Sequence, residues 1–386
     1  MKAFVAVLTL LALAGCRGDV LVIPEEKDCV GETDTTSGVI GFYLLNEGNM
    51  GSNKCSLDYY DYSDGVYYRN IYAERNPGVI KELGDVGNDI KIYGSKLYAV
   101  INCSHKVEVM DVATGIRLGQ IDIPNCRYLA FNDGKAYVSS YVGPVQISQN
   151  APKGMVYEVD TLSLAVTRRV TVGYQPEEMA FAGGRLYVAN SGGYRQPDYD
   201  TTVSVVDTEK MKQTGLIDVA INLHRLRLDN RGRLWVNSRG NNDDIPSRLF
   251  MLERDEVTGE FAVSRSFPFS CTNFAIHGDR LYFFATDWNP TTQSNEVSYG
   301  ILDLESLELT GRSFVDDDLK KRIAVPYGLA VNERTGDVFV SDARNYVSSG
   351  TLYCIDSDGA LKWSVRTGDI PAAMAFVTEP ERSEEL

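Results

Sequence analysis

The three histidines of this 386-residue chain, His105, His224 and His277, are the first candidates for acid–base chemistry, because imidazole titrates near neutral pH. Only His224 falls where the repeats described below predict a channel mouth. The sequence contains neither the HExxH motif of zinc peptidases nor the GxSxG elbow of serine hydrolases. The small number of catalytic groups favours a binding protein, and we predict that the protein is not an enzyme.

A metal-dependent hydrolase is the catalytic alternative. A propeller lactonase would need Glu with Asn or Asp side chains that converge on the axis, and Glu47, Asn190, Asn237 and Asp342 could be placed so. Their spacing is generic, so we predict neither a metal site nor a cofactor. His224 could ligate a metal, or the metal of a bound ligand, although a lone histidine more often only forms hydrogen bonds.

These candidates follow the strands of a repeated unit. Its clearest copy, residues 179–190, has an apolar strand, the turn Gly183-Gly184 and a second strand, Leu186-Tyr187-Val188, which is the pattern of a hairpin. A third strand that ends in an acid and a fourth strand follow each copy. The other copies lie at residues 90–100, 129–139, 226–237, 274–284 and 329–341. Four strands in each repeat of roughly 40–57 residues indicate propeller blades.

The two ends of the folded region complete each other. Residues 41–46 have the pattern of a second strand with no first strand before it, and residues 371–377 have the pattern of a first strand with no second strand after it. The sequence therefore predicts an all-β protein, a seven-bladed β-propeller of four-stranded blades over residues 39–377. A C-terminal strand completes the first blade, and residues 378–386 form a tail. Such closure leaves no free sheet edge.

The composition restricts the class of function. With 38 Lys and Arg against 53 Asp and Glu, the formal net charge is −15, which argues against a nucleic-acid partner, since phosphate backbones need clustered basic residues. Hydrophobic residues at 44% and charged residues at 24% exclude a disordered chain and a polytopic membrane protein. The 22 Tyr are mostly a consequence of the repeat, and Tyr98, Tyr137, Tyr187 and Tyr282 are interpreted as packing residues between blades.

Ligand sites in propellers usually lie on the face whose loops leave the second strands and enter the first strands, so function must come from those loops. In this sequence the loops gather Asn, Tyr, Trp, Arg and Gly. Amides both donate and accept hydrogen bonds, and flat aromatics offer stacking area. An Asn at such a position can also be a turn residue that satisfies its own backbone. The predicted ligand-binding residues are Asn46, Glu47, Tyr141, Tyr174, Asn190, Tyr194, His224, Arg239, Trp288, Tyr327 and Arg344.

The N-terminus is predicted to be a targeting signal. Lys2 and a mainly apolar run end in Leu13-Ala14-Gly15-Cys16, which resembles a bacterial lipoprotein signal, with a simple secretory signal as the alternative. Residues 1–15 would then be a signal peptide, Cys16 the lipidated residue, and residues 16–38 a flexible tether. The acidic run at residues 24–28 resembles the patch that directs Bacteroidetes lipoproteins to the outer surface of the outer membrane.

Six further cysteines follow the predicted lipidation site, and they fit no zinc pattern and no compact disulfide scaffold. Cys126, Cys271 and Cys354 lie in or beside apolar strands, where buried free thiols are expected. Cys55 and Cys103 occupy similar places in neighbouring repeats, so a disulfide between them is an open alternative in an exported chain.

Two resemblances follow from these motifs. The strand Leu186-Tyr187-Val188-Ala189-Asn190 resembles the YVTN repeat of YncE-like seven-bladed propellers, which implies only the fold. The signal at Cys16, the opening residues 41–49 and seven Tyr-rich blades together are similar to the BtuG family of Bacteroidetes surface lipoproteins. Members of that family bind cobalamin (vitamin B12) and pass it to an outer-membrane TonB-dependent transporter.

This resemblance implies a lipid-anchored protein on the outer membrane, facing outward, that captures a corrinoid and delivers it to such a transporter. A corrinoid has an apolar ring and a rim of amides, which aromatic and amide side chains can match. The hypothesised contacts are Tyr141, Tyr174, Tyr194, Arg239, Trp288 and Tyr327. Two alternatives stay open: a surface protein that binds glycans or peptides, and a hydrolase or lyase.

Overall fold

The structure is a computed structural model that describes residues 25–79, 83–241, 243–289 and 293–379. The predicted signal peptide and Cys16 lie outside these residues. Seven antiparallel sheets form a ring, and each inner strand contacts the inner strands of the two neighbouring blades. The predicted all-β, seven-bladed propeller is confirmed. In the described part of the chain, no helix has the length and apolar character that a membrane crossing requires.

The strands are numbered along the chain, and within each blade they follow one another from the inner strand outward. Blade 1 consists of β29 (Pro371–Thr378), β2 (Val39–Asn46), β3 (Ser56–Asp61), β4 (Val66–Arg69) and β1 (Glu26–Cys29). Blade 2 consists of β5 (Gly87–Tyr93), β6 (Lys96–Ile101), β7 (Lys106–Asp111) and β8 (Arg117–Asp122). Blade 3 consists of β9 (Cys126–Asn132), β10 (Lys135–Ser140), β11 (Met155–Asp160) and β12 (Val166–Thr171). Blade 4 consists of β13 (Pro176–Ala182), β14 (Arg185–Asn190), β15 (Thr202–Asp207) and β16 (Lys212–Asp218).

The remaining blades follow the same order. Blade 5 consists of β17 (Leu223–Leu228), β18 (Leu234–Ser238), β19 (Arg248–Arg254) and β20 (Phe261–Ser266). Blade 6 consists of β21 (Asn273–His277), β22 (Arg280–Asn289), β23 (Ser294–Asp303) and β24 (Glu308–Leu309). Blade 7 consists of β25 (Pro326–Val331), β26 (Val338–Asp342), β27 (Ser349–Ile355) and β28 (Leu361–Asp369). Two short helices, α1 (Ile71–Arg75) and α2 (Asp317–Arg322), connect blades.

Position in the blade explains the pattern of each strand. Second strands such as β6 are covered by the neighbouring blades on both faces, so Leu97–Ile101 are all buried and the sequence is continuously apolar. Fourth strands such as β8 alternate between partly or fully buried residues and exposed residues because one face meets water. The repeated tyrosines are buried between blades as predicted: the Tyr137 ring lies 5.2 Å from Phe181 of the next blade.

The ring closes as the sequence predicted. β29 lies beside β2 in an antiparallel pair with Phe42 opposite Phe376 and Leu44 opposite Met374. The last strand of the chain therefore provides the inner strand of the first blade. Closure buries the rings of Phe42, Phe339 and Trp363, which pack at the junction of blades 1 and 7.

One strand was missed by the sequence analysis. β1 lies inside the segment predicted as a flexible tether, yet it pairs with β4 as a fifth strand of blade 1. Arg69 on β4 holds it through an ion pair to Asp28 and a 3.2 Å ion pair to Glu26. The acidic sequence has no hydrophobic periodicity, so it did not predict this strand. The pairing of β1 depends on backbone hydrogen bonds and on these charges rather than on apolar residues.

The six described cysteines are free thiols. Cys126, Cys271 and Cys354 are buried, which confirms the prediction for them. Cys55 is buried and Cys103 half-buried, and the structure shows no disulfide between these two residues.

Candidate functional site

A cavity of about 1170 Å³ opens on the face predicted to bind ligand. Residues from the start of six inner strands line it, which places it on the propeller axis: Ala372, Asn88, Arg127, Arg225, Asn273 and Tyr327. Loops that leave the second strands build its upper wall with Glu47, Asn102, Tyr194 and Arg239, and the end of the second strand β22 adds Trp288. The cavity thus collects side chains that are far apart in sequence.

A β-bulge aims residues of the inner strands at this cavity. In six blades the start of the inner strand has one residue more than the second strand opposite it, while blade 6 pairs there without a shift. The bulged residues are Ala372, Asn88, Arg127 with Tyr128, Glu177 with Glu178, His224 with Arg225, and Tyr327 with Gly328. A bulge turns side chains out of the strict alternation of a strand, so polar groups reach the axis while the core alternation resumes beyond.

Small polar side chains on the second strands satisfy the backbone that these bulges leave unpaired. Ser139 Oγ accepts the N–H of Tyr128 at 3.0 Å, Asn237 Oδ1 accepts that of Arg225 at 2.8 Å, and Ser341 Oγ accepts that of Gly328 at 2.7 Å. The same groups donate to carbonyl oxygens of the next blade, at 2.9 Å from Ser139 to Glu177. The bulges are therefore fixed within the blade and across the blade junction.

A buried carboxylate organises one side of the cavity floor. Glu177 Oε2 lies 3.0 Å from Arg127 Nη2, and Glu177 Oε1 lies 2.9 Å from Arg239 Nη2. The hydroxyls of Tyr141 and Ser191 also donate to Glu177 Oε1. Burial alone would raise the pKa of Glu177, but Arg127 and Arg239 outweigh it and hold the pKa below its ordinary value. Glu177 therefore stays charged and fixes both guanidinium groups.

A second buried carboxylate, that of Glu178, pairs with arginines of blade 5. Glu178 Oε2 accepts the N–H of Leu226 at 3.0 Å and lies 3.3 Å from Arg227 Nε, whereas Arg225 Nη1 is 4.0 Å from Glu178 Oε1. The guanidinium of Arg225 lies 5.2 Å from the ring centroid of Tyr128, in a cation–π contact. Arg225 is thus held mainly by the aromatic ring.

His224 lies beside this pair. Its Nε2 is 2.9 Å from the hydroxyl of Tyr128, while its buried Nδ1 has no hydrogen-bond partner among the described residues. Burial, together with the charges of Arg239, Arg225 and Arg127, holds the pKa of His224 well below its ordinary value. The imidazole is therefore neutral at pH 7.

Glu47 completes the floor from blade 1. It accepts a hydrogen bond from the hydroxyl of Tyr327. Burial raises the pKa of Glu47, although this hydrogen bond and the charges of Arg127 and Arg225 oppose the shift. Glu47 is thus a weaker counter-charge than Glu177.

The rim of the cavity is more apolar and more exposed. Met50 is 60% exposed, Trp288 55% and Tyr346 46%. Asp243 and Asp244, in a loop of blade 5, and Asp287, on strand β22 of blade 6, lie among them. The cavity therefore has a basic floor, walls with amides and aromatic rings, and a rim that mixes apolar and acidic groups.

Six of the eleven predicted ligand-binding residues line this cavity: Glu47, Tyr194, His224, Arg239, Trp288 and Tyr327. The other five lie outside its lining. Asn46 and Asn190 are buried, and their amides donate to neighbouring strands, to Ser56 and Ser204 respectively. Tyr141 is buried under Glu177, although it supports the cavity floor.

Tyr174 and Arg344 are placed elsewhere. The ring of Tyr174 is covered by the guanidinium of Arg195, 3.8 Å from its centroid. Arg344 is exposed and donates to Thr351 at 3.1 Å. Two residues of the alternative metal site form structural hydrogen bonds instead. The amide of Asn237 donates to Thr272, and Asp342 accepts backbone N–H groups of Ala324 and Val325.

Among the described residues, no group of three or more His, Cys, Asp or Glu is arranged to hold a metal ion. The predicted ligand-binding residues leave out several residues of this lining, among them Arg127, Tyr128 and Arg225, although the sequence places Arg127 and Arg225 in the loops that enter first strands. A signal for them exists in the repeat. Tyr128 and Arg225 stand immediately before Leu129 and Leu226, as Glu178 does before Met179, and Arg127 stands one residue earlier, as Glu177 and His224 do. Aligned copies of the repeat would have shown charged and aromatic residues at these two positions.

Residues 40–365 match the model of the family described as "Domain of unknown function (DUF5074)", and the chain belongs to this family. No curated protein matches the chain. Solved structures match at low identity.

A quinonprotein alcohol dehydrogenase-like protein of Bacteroides thetaiotaomicron is 14% identical, with a TM-score of 0.62 over 89% of this chain and 79% of that one. The periplasmic gluconolactonase of Pseudomonas aeruginosa is 12% identical, with a TM-score of 0.58 over 88% and 99%. Hydrazine synthase of Kuenenia stuttgartiensis is 16% identical, with a TM-score of 0.60 over 75% and 89%. At these identities the similarity supports the propeller fold alone.

Proposed function

We propose that this member of the DUF5074 family is a lipid-anchored surface protein that captures cobalamin or a related corrinoid in the axial cavity and delivers it to a TonB-dependent outer-membrane transporter. The proposal joins the resemblance in the sequence to one structural observation, which is the size and lining of the cavity. Drug-sized ligands occupy pockets of about 300–1,000 Å³, and this cavity has about 1170 Å³. It therefore suits a larger ligand.

The lining suits the surface of a corrinoid. The side-chain amides of Asn88, Asn102 and Asn273 line the cavity and can pair with amides on the rim of the ligand. The rings of Tyr194 and Trp288 offer flat apolar area for the ring system. Both groups point into one space because six bulged strands and their neighbouring loops converge there.

Binding without catalysis is part of the proposal. The buried carboxylates Glu177 and Glu178 have structural partners, since Glu177 holds Arg127 and Arg239, and Glu178 holds Arg227. A general base needs access to a substrate proton, and these two groups are occupied by guanidinium groups. The arrangement is that of a preorganised binding surface.

Isothermal titration with cyanocobalamin tests this function. We expect one site for each chain with a Kd well below ~1 μM. The Trp288→Ala variant should bind about 5-fold more weakly, because a rim aromatic contributes roughly 1 kcal/mol of stacking. Tyr68→Ala is the matched control, since Tyr68 lies on the outer strand β4, away from the cavity. Absence of heat, or micromolar or weaker binding by the wild type, contradicts the proposal, and binding of a glycan instead would favour the alternative.

A further inference from the structure

The floor of the axial cavity carries an excess of positive charge. The charged side chains that line this floor are Arg127, Arg225, Arg239 and Glu47. Ion pairs and charge interactions link them to Lys91, Arg227, Asp89, Glu177 and Glu178, which gives five cations against four carboxyl groups. One positive charge remains even with all four carboxyl groups ionised. Burial also raises the pKa of Glu47 and of Asp89, which weakens both as counter-charges. Since an uncompensated buried charge is costly, this floor favours an anionic ligand.

Arg225 has the weakest compensation of these cations. Its 4.0 Å ion pair reaches a carboxylate that Arg227 and a backbone N–H already use. Its Nε is buried without a hydrogen-bond partner in the described part of the chain. Arg127 and Arg239, by contrast, each donate hydrogen bonds to Glu177. The contact with the Tyr128 ring fixes the guanidinium of Arg225 without using its N–H donors.

His224 adds a neutral donor on the adjacent residue of the same bulge. The hydroxyl of Tyr128 has no acceptor other than His224 Nε2 among the residues described, so it donates to Nε2. The proton of the neutral imidazole then sits on Nδ1, which is buried and has no partner there. Both unused groups, the Arg225 guanidinium and the His224 Nδ1–H, are donors, and paired donors of this kind match an oxyanion.

We propose that Arg225 and His224 form a subsite for a phosphate group on the floor of the cavity, and that Arg127 and Arg239 add attraction at longer range. The group is either free phosphate or a phosphate ester that is part of a larger ligand. In cobalamin it would be the phosphodiester that links the nucleotide to the corrin ring. This last identification rests on the proposed function, whereas the subsite itself does not.

Titration with inorganic phosphate at constant ionic strength is the first test. Arg225→Met should weaken phosphate binding at least ~10-fold, and Arg225→Lys should recover part of it because it keeps the charge. Arg169→Met is the matched control, since Arg169 is exposed on the outer strand β12. Thermal unfolding of each variant shows that it is folded, as expected because Glu178 keeps Arg227 as its partner.

The second test compares cyanocobalamin with dicyanocobinamide, which lacks the phosphate and the nucleotide. Arg225→Met should weaken binding of cyanocobalamin ~10-fold and leave that of dicyanocobinamide within about 2-fold. A selective loss with cyanocobalamin, or an Arg225-dependent loss with inorganic phosphate, supports the subsite. No effect of Arg225→Met on either phosphate-bearing probe, or an equal loss for both corrinoids without a loss for phosphate, overturns it. If neither corrinoid binds the wild type, the proposed function fails, yet Arg225-dependent phosphate binding would still support the subsite.

Discussion

Glu177 is the residue on which the cavity floor most depends. Two guanidinium groups and two hydroxyls converge on its carboxylate, and the side chain is fully buried. Arg239 and Tyr141 were predicted from the sequence as ligand contacts, and in the structure both donate hydrogen bonds to Glu177. From sequence alone, a Tyr on a loop cannot be assigned to ligand or to a buried acid, because the acid lies 36 residues away along the chain.

Glu177→Gln should lower the free energy of unfolding by about 3 kcal/mol, because it leaves Arg127 and Arg239 without their counter-charge in a buried setting. Urea unfolding at pH 7 measures this. Glu260→Gln is the matched control, since the Arg185–Glu260 pair is exposed and such pairs contribute little. A loss for Glu177→Gln no larger than that for Glu260→Gln would contradict the structural role of this carboxylate.

The acid dependence of stability follows from the same residue. The pKa of Glu177 is lower in the folded protein than in the unfolded chain, so its contribution is fully present above the ordinary Glu pKa of about 4.3 and is lost as pH falls. The difference in unfolding free energy between wild type and Glu177→Gln should therefore shrink as pH falls below about 4. Urea unfolding at a series of pH values checks this, and a difference that stays constant or grows in acid would refute it.

At the scale of elements, the bulged start of the inner strand is the device that builds the site. The hydrophobic repeat predicted the hairpins and the closing strand, because apolar alternation is set by the burial of each strand. It could not predict the bulges, since one extra residue in the inner strand is a property of its pairing with the second strand. Arg127, Tyr128 and Arg225 were left out of the predicted ligand contacts for this reason, and β1 was not predicted because its pairing does not depend on apolar residues.

Gly328 tests whether the close packing of a bulge supports the fold. A Cβ on this residue would lie 2.4 Å from Ala372 O, across the junction of blades 7 and 1, and 2.8 Å from Ser341 Oγ within blade 7. Gly328→Ala should therefore lower the free energy of unfolding by about 1–3 kcal/mol. Gly78→Ala is the matched control, because a Cβ there meets nothing within 4 Å. Equal urea midpoints for the two variants would show that the junction adapts.

At the scale of the whole molecule, the charge distribution separates the outside from the axis. The chain has a formal net charge of −15, yet five cations meet four carboxyl groups at the cavity floor and in the ion pairs that adjoin it. A strongly acidic exterior disfavours polyanions such as nucleic acids, whereas a compact ligand with one phosphate group can reach the axis. The closed ring keeps this floor in place, because the first and last strands of the propeller belong to one sheet.

The most direct measurement for the central claim is gel filtration of the protein after incubation with excess cyanocobalamin, with the absorbance spectrum of the protein peak recorded. We predict corrinoid absorption in that peak at about one ligand for each chain, because the axial cavity of about 1170 Å³ is the one proposed binding site. Corrinoid absorption confined to the small-molecule fractions would contradict the claim that this propeller captures cobalamin.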